Sequence, residues 1–74
     1  MTSAIIYVNG QKLIQIDKNT YEGLLDDIDF SITKEKNEFY VDIFDTLLSD
    51  SDKAHLDSVT VDSLEQAVDY VKNY

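Results

Sequence analysis

Along Asp26–Asp45, DDIDFSITKEKNEFYVDIFD, apolar and polar residues alternate with period two on both sides of a polar centre. Ile28, Phe30 and Ile32 share one parity, with Asp27, Asp29, Ser31 and Thr33 on the other. Phe39, Val41 and Ile43 share a parity in the second arm, opposite Tyr40, Asp42 and Phe44. Successive side chains of a strand point to opposite faces, so each arm reads as a half-buried strand and the pair as a hairpin. With Lys34–Asn37 as a four-residue loop, Ile32 faces Phe39, Phe30 faces Val41 and Ile28 faces Ile43. A slip of one residue would expose the whole apolar set. That register places Asp29 across from Asp42 and Asp27 beside Phe44. Like charges directly opposite one another cost roughly 0.2–1 kcal/mol.

A second hairpin is expected over Ser3–Asp17, SAIIYVNGQKLIQID, turning at Asn9-Gly10. A two-residue type I′ turn needs positive φ at both central positions, which Asn-Gly supplies. Val8 then pairs with Gln11, Tyr7 with Lys12, Ile6 with Leu13 and Ile5 with Ile14. Ile5, Tyr7, Ile14 and Ile16 share one face, and Ile6, Val8 and Leu13 share the other with Gln11 and Gln15. Both faces are partly apolar. Either other elements of the chain cover each of them, the favoured expectation, or one is a self-association surface.

Residues 18–25, KNTYEGLL, read as a connection with room for a helical turn, which Gly23 keeps short. Residues 46–58, TLLSDSDKAHLDS, read as a loop in which Ser51 caps a single helical turn reaching Leu56. Val59–Val61 is long enough for a short fifth strand. The chain closes on a helical pattern, DSLEQAVDYVKNY, with Asp62 as N-cap and Glu65 three residues on, an acidic form of the capping box. Leu64, Ala67, Val68 and Val71 form one apolar stripe, extended by Tyr74, that would pack on the sheet. The expected fold is α+β: one domain over residues 1–74, an antiparallel sheet of two hairpins with a possible short fifth strand, and one C-terminal helix packed on it.

Composition makes folding feasible and narrows the chemistry. Apolar residues are 43% of the 74, including five Tyr and three Phe, enough for one small core. Cysteine is absent, which removes disulfides, thiolate nucleophiles and cysteine metal sites. The start MTSAIIYVNGQ lacks the basic and apolar regions of a signal peptide. No apolar run approaches the ~20 residues of a membrane span. The expected location is cytoplasmic, meaning host cytoplasm if the gene is phage-borne.

Charge is the most informative property. Fifteen acids against six lysines give a net −9, and residues 22–57 hold eleven acids and three lysines, net −8. Direct binding to nucleic acid or to an anionic membrane is disfavoured, because both need cationic side chains. A basic protein or nucleoprotein partner is favoured, chiefly through association rate and specificity.

Several motifs carry less than they promise. Asp62-Ser63-Leu64 is similar to the tripeptide of acyl carrier proteins. There, however, the serine opens a central helix of a four-helix bundle, whereas here it follows β-patterned sequence eleven residues from Tyr74. Ser63 is instead expected as an ordinary first-turn residue. An EF-hand loop begun at Asp50 would place His55 and Val61 where Gly and Glu are required. His55 is expected in a loop, without a nucleophile context. No phosphate loop can be built from Gly10 and Gly23. Neither enzymatic activity nor a cofactor is expected.

The remaining constellation is the outer face of the central hairpin. Tyr40 and Phe44 alternate there with Asp42, facing Asp27 and Asp29. Rings supply anchors and charges supply steering, the usual make-up of an interface. Acids at i and i+2 on a strand lie about 6.6 Å apart, comparable with successive phosphates of a nucleic-acid strand. The expected partner-binding set is Asp26, Asp27, Asp29, Tyr40, Asp42, Phe44, Asp45, Asp50 and Asp52. In size, acidity and hairpin-plus-helix plan the chain resembles small phage inhibitors such as anti-CRISPR and anti-restriction proteins. Those share no common motif, so the resemblance transfers no residue. It implies a nucleic-acid mimic that occupies the basic groove of a nuclease or another nucleic-acid-binding protein. Two alternatives stay open: a homo-oligomeric accessory protein joined through the first hairpin at Ile6 and Val8, and an immunity protein or antitoxin that neutralises a basic toxin.

Overall fold

The computed structural model describes residues 4–45 and 54–74. Six strands, β1 (Ala4–Val8), β2 (Gln11–Asp17), β3 (Thr20–Leu25), β4 (Ile28–Glu35), β5 (Glu38–Asp45) and β6 (Ala54–Val61), precede one helix, α1 (Leu64–Lys72). The strands form a single antiparallel sheet in chain order, with the helix on one face. This is the α+β arrangement expected. The sheet is larger than two hairpins and a short strand, because one more segment pairs and the short strand is the end of a longer one.

Residues 18–25 are not a helical connection. Thr20–Leu25 is β3, pairing Tyr21 with Ile32, Gly23 with Phe30 and Leu25 with Ile28. The turn before it is held by the Asn19 N–H donating to Asp17 Oδ1 at 2.8 Å, an Asx turn that replaces a glycine. The fifth strand foreseen at Val59–Val61 is the end of the eight-residue β6, the sixth in order. The capped turn expected from Ser51 to Leu56 is therefore corrected over its last residues. Ala54–Leu56 is strand, and the rest lies outside the described residues.

All four hairpin turns from β1 to β5 have two residues, at 9–10, 18–19, 26–27 and 36–37. The first is the Asn9-Gly10 turn, with φ of 52° and 81°, and its pairing from Ile5↔Ile14 to Val8↔Gln11 is the one read from sequence. The last corrects the four-residue loop. Lys36 takes φ 57°, letting Glu35 pair with Glu38 and bringing Ile32 opposite Val41 and Phe30 opposite Ile43. The register thus differs by two residues from expectation, which preserves the faces and changes every partner. Asp29 lies across from Phe44 and Ser31 across from Asp42. The like-charge pair moves to the hairpin tip, Glu35 and Glu38.

The inner face and helix build the core. Leu13, Phe30, Ile32, Val41, Ile43, Ala67, Val68 and Val71 are buried, with Ile6, Val8, Tyr21 and Val59 among those packed around them. Phe30 lies against Gly23 of the neighbouring strand, where an added methyl would sit 2.8 Å from Phe30 Cε1 and closer still to Cζ. Gly23 thus leaves the space that the ring fills. Buried Gln11 donates from Nε2 to the carbonyls of Lys12 (3.0 Å) and Leu24 (3.2 Å). This side chain joins β2 to β3 beyond their last paired residues, Ile14 and Glu22.

The helix touches β5, β6 and β1, so the sheet curves round it until both edge strands meet it. At the turn after β1 the contact is polar: Asn9 Nδ2 donates to Asp69 Oδ1 (3.1 Å) and Lys72 Nζ donates to the Asn9 carbonyl (2.8 Å). The N-cap is Ser63, not Asp62; its hydroxyl accepts from Gln66 N–H at 3.1 Å, and Gln66 Oε1 accepts from Asp62 N–H at 2.9 Å. Ser63 and Gln66 thus form a variant of the capping box expected of Asp62 and Glu65, in which the Gln66 side chain accepts from the residue before the N-cap. No helix among the described residues is long and apolar enough to cross a membrane.

Candidate functional site: the outer face of β4 to β6

One parity of β4 and β5 packs under the helix, so the other must face outward. On β4 it carries Asp29, Ser31, Thr33 and Glu35, and on β5 Glu38, Tyr40, Asp42 and Phe44. Ser58 and Thr60 continue it on β6, opposite Asp42 and Tyr40. Among the described residues of these strands, no lysine shares this parity; Lys34 pairs with Phe39 on the inner side.

Asp29 and Asp42 are diagonal neighbours across the ladder, a separation of about 7–8 Å. That replaces the direct opposition expected of them and still approximates phosphate spacing. The i, i+2 pair of Asp27 and Asp29 does not form along a strand, because Asp26 and Asp27 make the turn between β3 and β4, with Asp26 at φ 55°. Both are exposed at one end of the face. Asp45 has the inner parity, opposite Ile28 at the end of β5, and is half-buried. It does not join the outer set. Asp50 and Asp52 lie outside the described residues.

His55 is a strand residue rather than a loop residue. A shift between Ile43 and Phe44 in the β5–β6 pairing brings His55 opposite Phe44. The rings meet at 5.2 Å between centroids, inclined by 48°. His55 Nε2 lies 3.2 Å from Asp42 Oδ1, with both side chains substantially exposed. Its setting holds the Asp42 carboxylate beside the aromatic pair. Next to it lies an open depression of about 470 Å³ between β5 and β6, lined by Tyr40, Val41, Asp42, Ser58, Val59 and Thr60. A carboxylate and a tyrosine ring bordering a polar depression suit the end of an arginine or lysine side chain.

The expected residues that do gather are therefore Asp29, Tyr40, Asp42 and Phe44, with Asp26 and Asp27 at one end. The sequence reading missed Glu35, Glu38 and His55. The two glutamates were available from the alternation itself, which continues to both, had the loop been taken as two residues. On the opposite side of the sheet, Tyr70 donates a short hydrogen bond to Asp57 Oδ2. That bond to a carboxylate is the main cause holding the Tyr70 phenol above its ordinary value, with desolvation adding to it. Among the described residues no group of three or more His, Asp or Glu side chains is placed to hold a metal ion.

Fold and face together define a small acidic α+β protein with a mixed aromatic–carboxylate sheet surface. Comparison with protein-family models, with curated proteins and with solved structures finds no match.

Proposed function

We propose that this protein is a non-enzymatic binding protein whose β4–β6 outer face occupies a basic, nucleic-acid-binding surface of a partner protein. The observation that carries this reading is the placement of Asp29, Asp42, Glu35 and Glu38 around Tyr40 and Phe44 on the outer face of β4 and β5, where no lysine shares their parity. A basic groove recognises such a face as it recognises a phosphate backbone, by long-range attraction first and by local pairing second. The rings add what phosphates lack, apolar anchors that stay dry in the complex. An inhibitor of anti-CRISPR or anti-restriction type is the form this reading takes, with a nuclease or nucleoprotein complex as the target.

The test is affinity capture from a cell lysate at low and at raised salt, with the retained proteins identified. A basic nucleic-acid-binding protein should be held at low salt, released as salt rises and competed away by DNA or RNA. The variant Asp29→Asn/Asp42→Asn, checked for native folding, should lose that protein. Retention undiminished in the variant, or capture insensitive to both salt and nucleic acid, would refute the mimic reading.

A further inference from the structure

The other half of the outer face, on β1 to β3, has the opposite character. Its side chains include Ile5, Tyr7, Ile14 and Leu24, which are 59%, 69%, 41% and 63% exposed. The expectation that the chain covers both faces of its first hairpin is therefore corrected: the helix covers Ile6, Val8 and Leu13, and the reverse face stays open. Ile6 and Val8 are on the covered side, so they are not the contact residues a self-associating hairpin would use.

The charge distribution indicates what covers the open side. Residues 1–25 contain two acids and two lysines, net zero, while residues 26–74 contain thirteen acids and four lysines, net −9. The apolar patch thus lies in the neutral part of a strongly acidic chain. A basic partner would gain little there and would be drawn to the acidic half. A second copy, carrying the same −9, is repelled everywhere except at this neutral part. Asp29, opposite Leu24, marks the acidic edge of the patch, and the two charges within it suit a copy. Lys12 pairs with Tyr7 and Glu22 pairs with Ile14, so both project among the apolar residues on adjacent strands. A two-fold axis through the patch brings Lys12 of one copy to Glu22 of the other, twice.

The area is sufficient. With about 200 Å² for each such side chain when free, the four expose roughly 450 Å² per copy. Two copies with their flanking Lys12 and Glu22 then bury on the order of 1,000 Å², the lower limit for a specific interface. We infer that the protein is a homodimer packed face to face through Ile5, Tyr7, Ile14 and Leu24, with Asp29 at the edge of the contact and the β5–β6 part of each outer face left outside it. The arrangement presents two copies of the partner-binding face. It does not depend on what that face binds.

Sedimentation velocity over a concentration series tests this. The wild-type protein should pass from monomer to dimer with rising concentration, and added salt should strengthen the dimer or leave it unchanged, because screening relieves repulsion between like-charged copies. Ile14→Lys should weaken it by about tenfold or more, with far-UV circular dichroism unaltered. Thr60→Lys, on β6, should not weaken it. If Ile14→Lys proves unfolded, charge exchange decides: Lys12→Glu should weaken the dimer, and adding Glu22→Lys should restore it. A wild-type protein still monomeric at about 1 mM, a dimer as strong in the folded Ile14→Lys variant, or failure of the exchange to restore association would overturn the inference.

Discussion

Gly23 is the position at which the fold is most sensitive to a single added carbon. Gly23→Ala leaves the backbone comfortable, since this glycine, unlike Gly10, does not need positive φ. Alanine should even help the strand, by about 0.5–1 kcal/mol from reduced freedom of the unfolded chain. Against this, the new methyl would sit 2.8 Å from Phe30 Cε1 and nearer to Cζ. Phe30 is 1% exposed within the core cluster, so its ring cannot swing aside as a surface side chain would. Overpacking of this kind costs typically 1–3 kcal/mol, which at the middle of the two ranges leaves a net loss of about 1 kcal/mol. For a domain of this size each kcal/mol lowers Tm by roughly 4–8 °C, so thermal unfolding followed by circular dichroism resolves the effect. The Phe30→Leu background isolates its cause. Leucine lacks the Cε and Cζ atoms that the methyl meets, and there Gly23→Ala should be neutral or stabilising. A wild-type Tm unchanged or raised by Gly23→Ala, or an equal loss in both backgrounds, would refute the reasoning.

Two further predictions concern the helix. Tyr70 has its folded pKa raised above 10.0 by the bond to Asp57, so the folded state keeps its proton longer than the unfolded state. The stabilisation is complete below the unfolded pKa and is lost as pH rises through the folded value. Urea midpoints at about pH 8 and pH 11 should therefore fall further in the wild type than in Tyr70→Phe; parallel profiles would show that the bond does not contribute. Ser63→Ala removes the acceptor for Gln66 N–H and should cost about 1 kcal/mol, read as a lower urea midpoint with unchanged slope, whereas Asp62→Ala, which leaves that cap intact, should cost less.

What the chain declares locally and what it leaves to packing can be separated strand by strand. Period-two alternation identified β4 and β5, because each buries one face and wets the other, whereas β1 and β2 were identified by Asn9-Gly10 between two β-branched runs. The i, i+3, i+4 stripe identified the helix for the analogous reason. Asn9-Gly10 set its hairpin's register, since the turn geometry is encoded in the two residues that form it. Lys36-Asn37 encodes no such demand. Its lysine adopts positive φ because the ladders on either side hold it there, so the register of the central hairpin was open by two residues. The faces survived that shift, and with them Asp29, Tyr40, Asp42 and Phe44 as members of one surface; the pairings did not.

β3 and β6 were hidden for a different reason. In β3 the inner position that should be apolar is Gly23, empty because Phe30 of the next strand fills it. In β6 the inner position is Asp57, acceptable there because Tyr70 of the helix satisfies it, and Leu56 interrupts the alternation where the pairing shifts. Each exception is compensated by a residue distant in sequence, and a local pattern cannot register a compensation made across space. The sequence by itself determined the fold class, the helix, the strong strands and the placement of the acid excess. Only the tertiary structure decided that six strands curl round the helix, which residues meet across them, and that one outer surface divides into a neutral apolar half and an acidic aromatic half. That division arises because antiparallel pairing assembles a face from alternate residues of successive strands, a property of the register and not of any one segment.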